Sequence, residues 1–235
     1  MSARGLFITG TDTGIGKTRV AAALMLRLRE TGLRVAGFKP VAAGCERTPD
    51  GLRNDDAVEL QRCASRPWPY ATVNPYALEP PIAPHLAAAE AGVTLALEPL
   101  CAAYAELAAE SDVVVVEGAG GWLVPLDERR TLADLARELD LDTLLVVGVR
   151  LGCLNHALLT AASIAAHGVR LAGWVANVID PDVARLHGQL QTLAARLDAP
   201  CLGHLPHLPD PRPENLAAHL DMPHPGDPST DTLLL

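Results

Sequence analysis

Gly10-Thr11-Asp12-Thr13-Gly14-Ile15-Gly16-Lys17-Thr18 is the stretch that decides the fold of this chain. It follows a short apolar run, Leu6-Phe7-Ile8, and precedes a segment with helical spacing, Arg19 to about Arg29. A glycine-rich loop between a strand and a helix is typical of phosphate binding, because glycines let successive backbone N–H groups turn towards an anion and the new helix adds its dipole. The spacing departs from the strict G-x-x-x-x-G-K-[ST] pattern, since Thr11 stands where the first glycine would be. An ordinary strand-to-helix turn is the alternative, but the flanking elements favour a nucleotide site.

Two side chains at the end of this loop have defined roles in phosphate-binding loops. Lys17 is expected to reach the terminal phosphates, and the Thr18 hydroxyl is expected to ligate Mg²⁺.

The composition limits the class of protein. With 235 residues and a net charge of −9, the chain has the length of one α/β domain and lacks the basic surface of a nucleic-acid-binding protein. We expect one domain over residues 1–222 and a flexible C-terminal tail over 223–235. The five cysteines form no C-x-x-C pair, which indicates incidental thiols in a reducing compartment. No signal peptide and no apolar run of about 20 residues is recognisable, so a cytoplasmic location without membrane contact is expected.

Apolar runs alternate with helical segments along the chain. Such alternation predicts an α/β fold, a mainly parallel sheet with helices on both faces. Ligands of these sheets lie beyond the carboxyl ends of the strands. The predicted strands are Leu6–Ile8, Val35–Phe38, Val113–Val116, Leu144–Val149, Gly173–Val178 and Pro200–Leu205. The predicted helices after the first are Asp56–Ala64, Leu97–Glu110, Leu132–Leu139, Asn155–His167 and Pro181–Leu197.

One segment interrupts this alternation. Residues 67–84 are rich in proline, which is typical of either an interdomain linker or a long loop. Because the alternation resumes afterwards, we favour a loop over the site.

Charged residues follow two of the predicted strands. Lys39 leaves the second strand and is either a solvated surface lysine or faces a phosphate; we expect the latter, with the strand of the phosphate loop adjacent. Glu117 ends a run of four valines and precedes Gly118-Ala119-Gly120-Gly121, where a carboxylate on the Mg²⁺ side is expected. Asp56 is either a second metal carboxylate or part of an ordinary helix start.

Two further strand ends carry polar groups. Residues 150–156 open a helix and offer a second anion site, or else form a plain strand-to-helix turn. Asn177 ends another strand, where its amide could bind the edge of a purine or serve a turn.

These residues stand in seven short motifs that together resemble the dethiobiotin synthase family. The similarity runs from residue 5 to about residue 216. The motifs are G-T-D-T-x-x-G-K-T (10–18), G-x-K-P-V-A (37–42), L-R-N-x-D-A (52–57), A-T-V-N-P-Y (71–76), V-E-G-A-G-G-W (116–122), V-V-G-V-x-L-G-C-x-N-H-A (146–157) and G-W-V-A-N (173–177).

The resemblance implies a P-loop NTPase-like, doubly wound fold and a cytosolic homodimer of biotin synthesis. Such an enzyme joins 7,8-diaminononanoate, CO₂ (or bicarbonate) and ATP, with Mg²⁺, to give dethiobiotin, ADP and phosphate. It acts through a carbamate and a carbamic-phosphoric anhydride.

The resemblance also implies residue roles. Lys17 and Lys39 would be catalytic, and Thr18, Asp56 and Glu117 would hold Mg²⁺. The diamine would contact Thr13, Lys39, Ala43 and, from the partner subunit, Asn155. The nucleotide would contact Thr13, Gly14, Ile15, Gly16, Lys17, Thr18, Arg19, Asp56, Glu117, Gly118, Ala119, Gly120, Asn177, Val178, Pro206, His207, Leu208 and Glu214.

The chain departs from the family pattern at two positions. Ala43 stands where serine is frequent, so a hydroxyl contact to the substrate is lost. Gly14 stands where an acidic residue is common, which predicts a more pliable loop. The match is weakest from Pro209 onward, which includes Glu214.

Two other classes of protein share this branch of phosphate-loop folds. A cobyrinate-amidating type of enzyme would need an attached glutaminase domain, for which the chain is too short. A partitioning-type ATPase switch carries an additional lysine early in the loop, and residues 11–15 contain none.

Overall fold

The computed structural model describes residues 3–221. The flexible tail predicted for residues 223–235 lies outside the described part of the chain.

Over residues 3–221, ten short strands form the sheets, and six of them begin and end close to the predicted apolar runs. The strands are β1 (Arg4–Gly10), β2 (Val35–Phe38), β3 (Val41–Ala42), β4 (Glu46–Thr48), β5 (Gly51–Arg53), β6 (Tyr76–Ala77), β7 (Val113–Glu117), β8 (Asp142–Val149), β9 (Leu171–Val178) and β10 (Cys201–Leu205).

Helices connect these strands. They are α1 (Lys17–Glu30), α2 (Asp55–Cys63), α3 (Tyr70–Val73), α4 (Pro84–Glu90), α5 (Leu97–Ala109), α6 (Leu132–Glu138), α7 (Cys153–Ala166), α8 (Leu186–Arg196) and α9 (Pro213–Ala217).

The six strands predicted from the sequence form one sheet in the order β10-β9-β8-β1-β7-β2. Every neighbouring pair in it is parallel. Because all strands run the same way, their carboxyl ends meet at one edge. The predicted mainly parallel α/β fold is therefore confirmed.

Both faces of this sheet are covered. Along β8, Leu144 and Val146 belong to one buried cluster, whereas Leu145, Val147 and Val149 belong to another. Successive strand residues point to opposite faces, so the two clusters lie on opposite sides of the sheet. Helices α7 and α8 cover the second cluster, while α1 packs against β1, β2 and β7 in the first. Burial on both faces explains why the strands are continuous apolar runs rather than alternating ones.

The structure corrects two expectations. The strand that leads to Lys39 is not adjacent to the strand of the phosphate loop, because β7 lies between β2 and β1. The helix expected from Pro181 begins only at Leu186, after Arg185 adopts a left-handed backbone with φ 56°. The sequence also did not predict the β4–β5 hairpin, the β3–β6 pair that ties residues 41–42 to 76–77, or the short helices α3, α4 and α9.

Helix α2 packs on β2 at Gly37, and this contact generates a stability prediction. A Cβ at residue 37 would lie 2.7 Å from Leu60 Cβ and 3.1 Å from the Leu60 carbonyl oxygen. We therefore expect Gly37→Ala to lower the free energy of unfolding by about 1 to 3 kcal/mol, the usual cost of overpacking. Urea denaturation followed by circular dichroism measures the change.

The matched control is Gly188→Ala on the exposed surface of α8. A Cβ there meets no atom within 4 Å. Alanine in a helix interior is favoured over glycine by about 0.5 to 1 kcal/mol, so this variant should be more stable than the wild type. Equal effects of the two substitutions would contradict the close contact at Gly37.

Candidate active site

The phosphate loop joins β1 to α1 through a left-handed turn at Gly16, which has φ 85°. A Cβ on Gly16 would lie 2.3 Å from Asn177 Nδ2, so neither the backbone conformation nor the space admits a larger residue. The amide of Asn177 donates to the Ile15 carbonyl over 2.6 Å and ties the loop to the end of β9. Gly14 also has a left-handed backbone, with φ 71°, which suits glycine better than the acidic residue that is common there in the family.

The loop presents unused hydrogen-bond donors. Within residues 3–221, the backbone N–H groups from Gly14 to Thr18 donate to no protein acceptor. These groups stand where the positive end of the α1 dipole begins. Free N–H groups at a helix start form a site for an anion such as phosphate.

Lys17 is buried at the start of α1. Its Nζ donates to the Asp12 carbonyl oxygen over 2.9 Å, so the side chain folds back along the loop. Burial lowers the pKa of Lys17 to about 8, although nearby Glu117 opposes this shift. A phosphate beside Lys17 would favour its charged form.

Lys39 lies between two carboxylates. Its Nζ is 2.7 Å from Glu117 Oε1 and 2.8 Å from Asp56 Oδ2. Lys39 and Glu117 are both almost completely buried. The Thr18 hydroxyl donates to the same Glu117 Oε1 over 2.9 Å. The four side chains therefore form one cluster at the carboxyl edge of the sheet.

Strand register and a helix cap assemble this cluster. Phe38 on β2 pairs with Val116 on β7, so Lys39 and Glu117 follow at the same level of two adjacent strands. Asn54 caps α2 by accepting a hydrogen bond from the Ala57 N–H over 3.4 Å. This cap leaves Asp56 in the first turn of α2, within reach of Lys39.

Burial and the neighbouring charges shift the pKa values of the cluster in different directions. Burial disfavours the charged form of Lys39, but the attraction of Glu117 and Asp56 outweighs the effect of burial, so the pKa of Lys39 is raised. Burial also opposes ionisation of Asp56, yet Lys39 lowers the pKa of that carboxyl. Burial raises the pKa of Glu117. The Oε2 atom of Glu117 is buried without a hydrogen-bond partner among residues 3–221, which leaves it available to a cation.

A cleft of about 1050 Å³ runs from the phosphate loop past this cluster. Among the predicted site residues, it is lined by Thr13, Gly14, Gly16, Lys17, Thr18, Arg19, Lys39, Ala43, Asp56, Glu117, Ala119, Gly120 and Asn177. Most of the predicted phosphate and metal contacts thus share one cavity.

Some predicted nucleotide contacts lie outside this lining. Ile15 and Val178 are buried in the two cores, and Gly118 contributes a carbonyl oxygen 3.5 Å from Lys39 Nζ. Glu214 forms an exposed ion pair with Arg62 over 3.0 Å. Residues 206–208, which are Pro206, His207 and Leu208, follow β10 without lining the cleft. Their neighbours 211–213 do line it.

Asn155 is exposed in the first turn of α7 and is also outside the cleft lining. Leu151, just before this helix, is 93% exposed. The single subunit therefore does not bring the start of α7 into its own cleft.

Several cleft residues were not identified from the sequence. Asn54, Val124 and Pro125 line the cavity, as does Arg212. Residues 81–84, from the proline-rich segment expected as a loop over the site, line it too. Asn54 stands in the L-R-N-x-D-A motif, which could have identified it as a site residue. No sequence motif marked Val124, Pro125 or Arg212 as site residues.

Comparison with known proteins gives the family. Residues 4–215 match the family model described as an AAA domain. The ATP-dependent dethiobiotin synthetase BioD of Xanthomonas oryzae pv. oryzae (strain PXO99A) is 54% identical over 95% of this chain and 100% of its own length. The protein of the same name from Pseudomonas paraeruginosa (strain DSM 24068 / PA7) is 57% identical over 92% of this chain and 95% of its own length.

Solved structures with the same fold are more distant in sequence. The Aquifex aeolicus MinC:MinD cell division protein complex matches with a TM-score of 0.57 and 16% identity, over 99% of this chain and 93% of the other. A ParA family ATPase from Chlorobium tepidum TLS matches with a TM-score of 0.55 and 15% identity, over 98% and 97%. These two likenesses concern the fold, whereas the curated relatives share more than half of their residues with the chain over nearly its whole length. The chain belongs to the family of ATP-dependent dethiobiotin synthetases.

Proposed function

We propose that this protein is an ATP-dependent cyclo-ligase that makes dethiobiotin from 7,8-diaminononanoate and CO₂ in biotin biosynthesis. The observation that carries the proposal is the cluster of Thr18, Lys39, Asp56 and Glu117 beside a phosphate loop that carries Lys17, in a chain of the dethiobiotin synthetase family. Phosphoryl transfer needs positioning and charge neutralisation more than covalent catalysis, and this cluster supplies both.

The phosphate loop would hold the triphosphate of ATP. Its free N–H groups from Gly14 to Thr18 are donors for phosphate oxygens, and Lys17 would move from the Asp12 carbonyl to those oxygens. Lys39 would turn towards the transferring γ-phosphoryl group, which would extend beyond the loop. The two lysines therefore have separable roles.

The residues also fit a magnesium ion. Within residues 3–221, no three His, Cys, Asp or Glu side chains are grouped as metal ligands. Mg²⁺ at nucleotide sites is commonly held by one or two carboxylates together with phosphate oxygens and water. Glu117 has an unpaired buried oxygen, and Thr18 and Asp56 lie beside it, so these three would hold the ion. Mg²⁺ bound there would neutralise negative charge on the phosphates.

The chemistry can proceed without a covalent enzyme intermediate. One amino group of the diamine adds to CO₂ and loses a proton, which gives a carbamate. A carbamate oxygen attacks the γ-phosphorus of ATP, the bond from that phosphorus to the bridging oxygen breaks, and ADP leaves, which gives a carbamic-phosphoric anhydride. The second amine then attacks the carbonyl carbon, so that the cyclic urea forms and phosphate leaves. Lys39 would stabilise the charge that accumulates on the transferring group.

The remaining contacts divide between nucleotide and diamine. Ala43 lines the cleft near Lys39, on the expected diamine side. Asn177 lines the cleft, but it already donates one N–H to Ile15. The adenine would therefore lie near Asn177 and the segment before α9, with Val178, residues 206–208 and Glu214 around it.

We further propose a cytoplasmic homodimer with shared sites. Asn155 and the exposed Leu151 lie outside the cleft of their own subunit, so the start of α7 is available to complete the site of a partner. Among the described residues, no helix is long and apolar enough to cross a membrane.

The reaction gives the first functional prediction. Phosphate release should require 7,8-diaminononanoate, CO₂ and MgATP together, and mass spectrometry should detect the cyclic urea. Omission of each component in turn is the control. Steady ATP hydrolysis that is indifferent to the diamine would instead favour an ATPase switch.

The two lysines give a second prediction. Lys39→Ala should lower kcat by about 100-fold or more with little change in nucleotide affinity, because loss of one transition-state contact costs about 3 kcal/mol. Lys17→Ala should lose both nucleotide affinity and kcat. Steady-state kinetics and calorimetric titration with an ATP analogue separate the two effects.

A stability control accompanies these variants. Lys39→Ala leaves the buried Glu117 carboxylate without its ammonium partner, so the thermal midpoint is measured and kcat is expressed per folded site. An unchanged kcat in Lys39→Ala would remove Lys39 from the catalytic machinery.

The shared site gives a third prediction. Lys39→Ala and Asn155→Trp subunits are each expected to form inactive dimers. In a mixed dimer, one site carries both lesions and the other carries neither, so mixing should restore part of the activity. Each variant mixed with itself is the control, and subunit exchange is verified by native mass spectrometry. No recovery after verified exchange would argue that each subunit has a complete site of its own.

A further inference from the structure

The segment that contains α3 connects the two sides of the charged cluster, although none of its residues lines the cleft. It corresponds to the A-T-V-N-P-Y motif at 71–76 and the preceding Tyr70. Two of its side chains make hydrogen bonds that link the backbone of Lys39 to the start of α2, which carries Asp56.

Asn74 holds the Lys39 side of this link. It is only 2% exposed, and its Nδ2 donates to the Lys39 carbonyl oxygen over 2.7 Å and to the Tyr76 carbonyl oxygen over 3.3 Å. The neighbouring Val73 carbonyl accepts a hydrogen bond from the Lys39 N–H over 2.8 Å. Both backbone polar groups of Lys39 are therefore bonded to residues 73 and 74.

Tyr70 continues the link to α2. Its hydroxyl donates to Asn74 Oδ1 over 3.0 Å and accepts a hydrogen bond from the Asn54 N–H over 2.8 Å. Asn54 is the N-cap of α2, two residues before Asp56. The order of contacts is thus the Lys39 backbone, Asn74, Tyr70 and the helix start that presents Asp56.

The hydroxyl has a role separate from that of the ring. The Arg53 guanidinium lies 4.2 Å from the centroid of the Tyr70 ring, a cation–π contact that phenylalanine would keep. Removal of the hydroxyl alone leaves the Asn54 N–H and Asn74 Oδ1 without this partner. Phosphoryl transfer is sensitive to such a loss, because small displacements of catalytic groups cost much of the rate.

We propose that Tyr70 and Asn74 are positioning residues that fix the separation between Lys39 and Asp56 during phosphoryl transfer. The inference rests on the proposed function, since it assigns its effect to the step that Lys39 assists. Neither residue touches the reacting atoms.

Tyr70→Phe tests the proposal, with Tyr76→Phe as the matched control. The Tyr76 hydroxyl is also half-buried and also accepts a backbone hydrogen bond, from the Ala96 N–H over 3.1 Å. That bond serves the start of α5 rather than Lys39 or Asp56. Each variant therefore loses one hydroxyl that accepts from a backbone N–H at the N-cap of a helix. Tyr70→Phe also loses the hydrogen bond to Asn74 Oδ1, so urea denaturation should show the larger loss of stability for Tyr70→Phe, and kcat is expressed per folded site.

The two variants should differ in catalysis. Tyr70→Phe should lower kcat about tenfold, the rate equivalent of one hydrogen bond, while KM for ATP stays within about twofold. Tyr76→Phe should keep both parameters within about twofold of the wild type. A purely structural role for Tyr70 would give the two variants the same kinetics per folded site.

A binding measurement separates this inference from the proposed reaction. Calorimetry compares the affinity for a non-hydrolysable ATP analogue with and without Mg²⁺. Displacement of Asp56 in Tyr70→Phe should reduce the gain in affinity that Mg²⁺ confers, whereas Tyr76→Phe should retain it.

The possible results distinguish the positioning role of Tyr70 from the proposed reaction. A lower kcat and a smaller Mg²⁺ effect in Tyr70→Phe alone support the positioning role. Identical behaviour of the two variants in both measurements overturns it. If the wild type forms no dethiobiotin, the proposed function fails, and the Mg²⁺ effect still decides whether Tyr70 positions Asp56.

Discussion

The buried ammonium of Lys39 between Glu117 and Asp56 is the interaction on which the arrangement of this site depends. Glu117 is almost completely buried at the end of an all-valine strand, where an isolated carboxylate would be strongly disfavoured. Lys39 compensates that charge at 2.7 Å and holds Asp56 at 2.8 Å. Breaking a buried ion pair by removing one partner typically costs about 3 to 5 kcal/mol, so the sheet edge and the start of α2 are energetically coupled through this lysine.

A purely structural role does not account for every polar group at this site. One oxygen of Glu117 is buried without a partner, and the N–H groups at the start of α1 have no protein acceptors within the described residues. A buried oxygen left unpaired is costly, and Glu117 lines the same cleft as the loop that presents the free N–H groups. A magnesium–nucleotide complex, as proposed, would satisfy both sets at once. The unpaired Glu117 oxygen and the free N–H groups together link the fold to the proposed ATP-dependent reaction more directly than any single residue does.

The sequence predicted the sheet well, because its strands are buried on both faces and therefore read as unbroken apolar runs. All six predicted strands form the central sheet, and the phosphate loop lies between β1 and α1 as expected. The order of the strands within the sheet was harder to predict from the sequence. Lys39 was expected next to the phosphate-loop strand, whereas β7 lies between them. Order depends on which crossover helix packs on which face, and local periodicity carries no information about that choice.

The sequence by itself determined which functional groups are available: a glycine-rich loop with a lysine and a threonine, and charged residues directly after buried strands. Those features are local, since each depends on a few adjacent residues. Only the tertiary structure decided that Lys39, Asp56 and Glu117 share one cluster, and that Asn74 and Tyr70 join its two sides. Most of these contacts join residues that are distant in the chain. Their distances depend on the register between β2 and β7, which forms only when strands far apart in the sequence pair, and on the cap of α2 at Asn54.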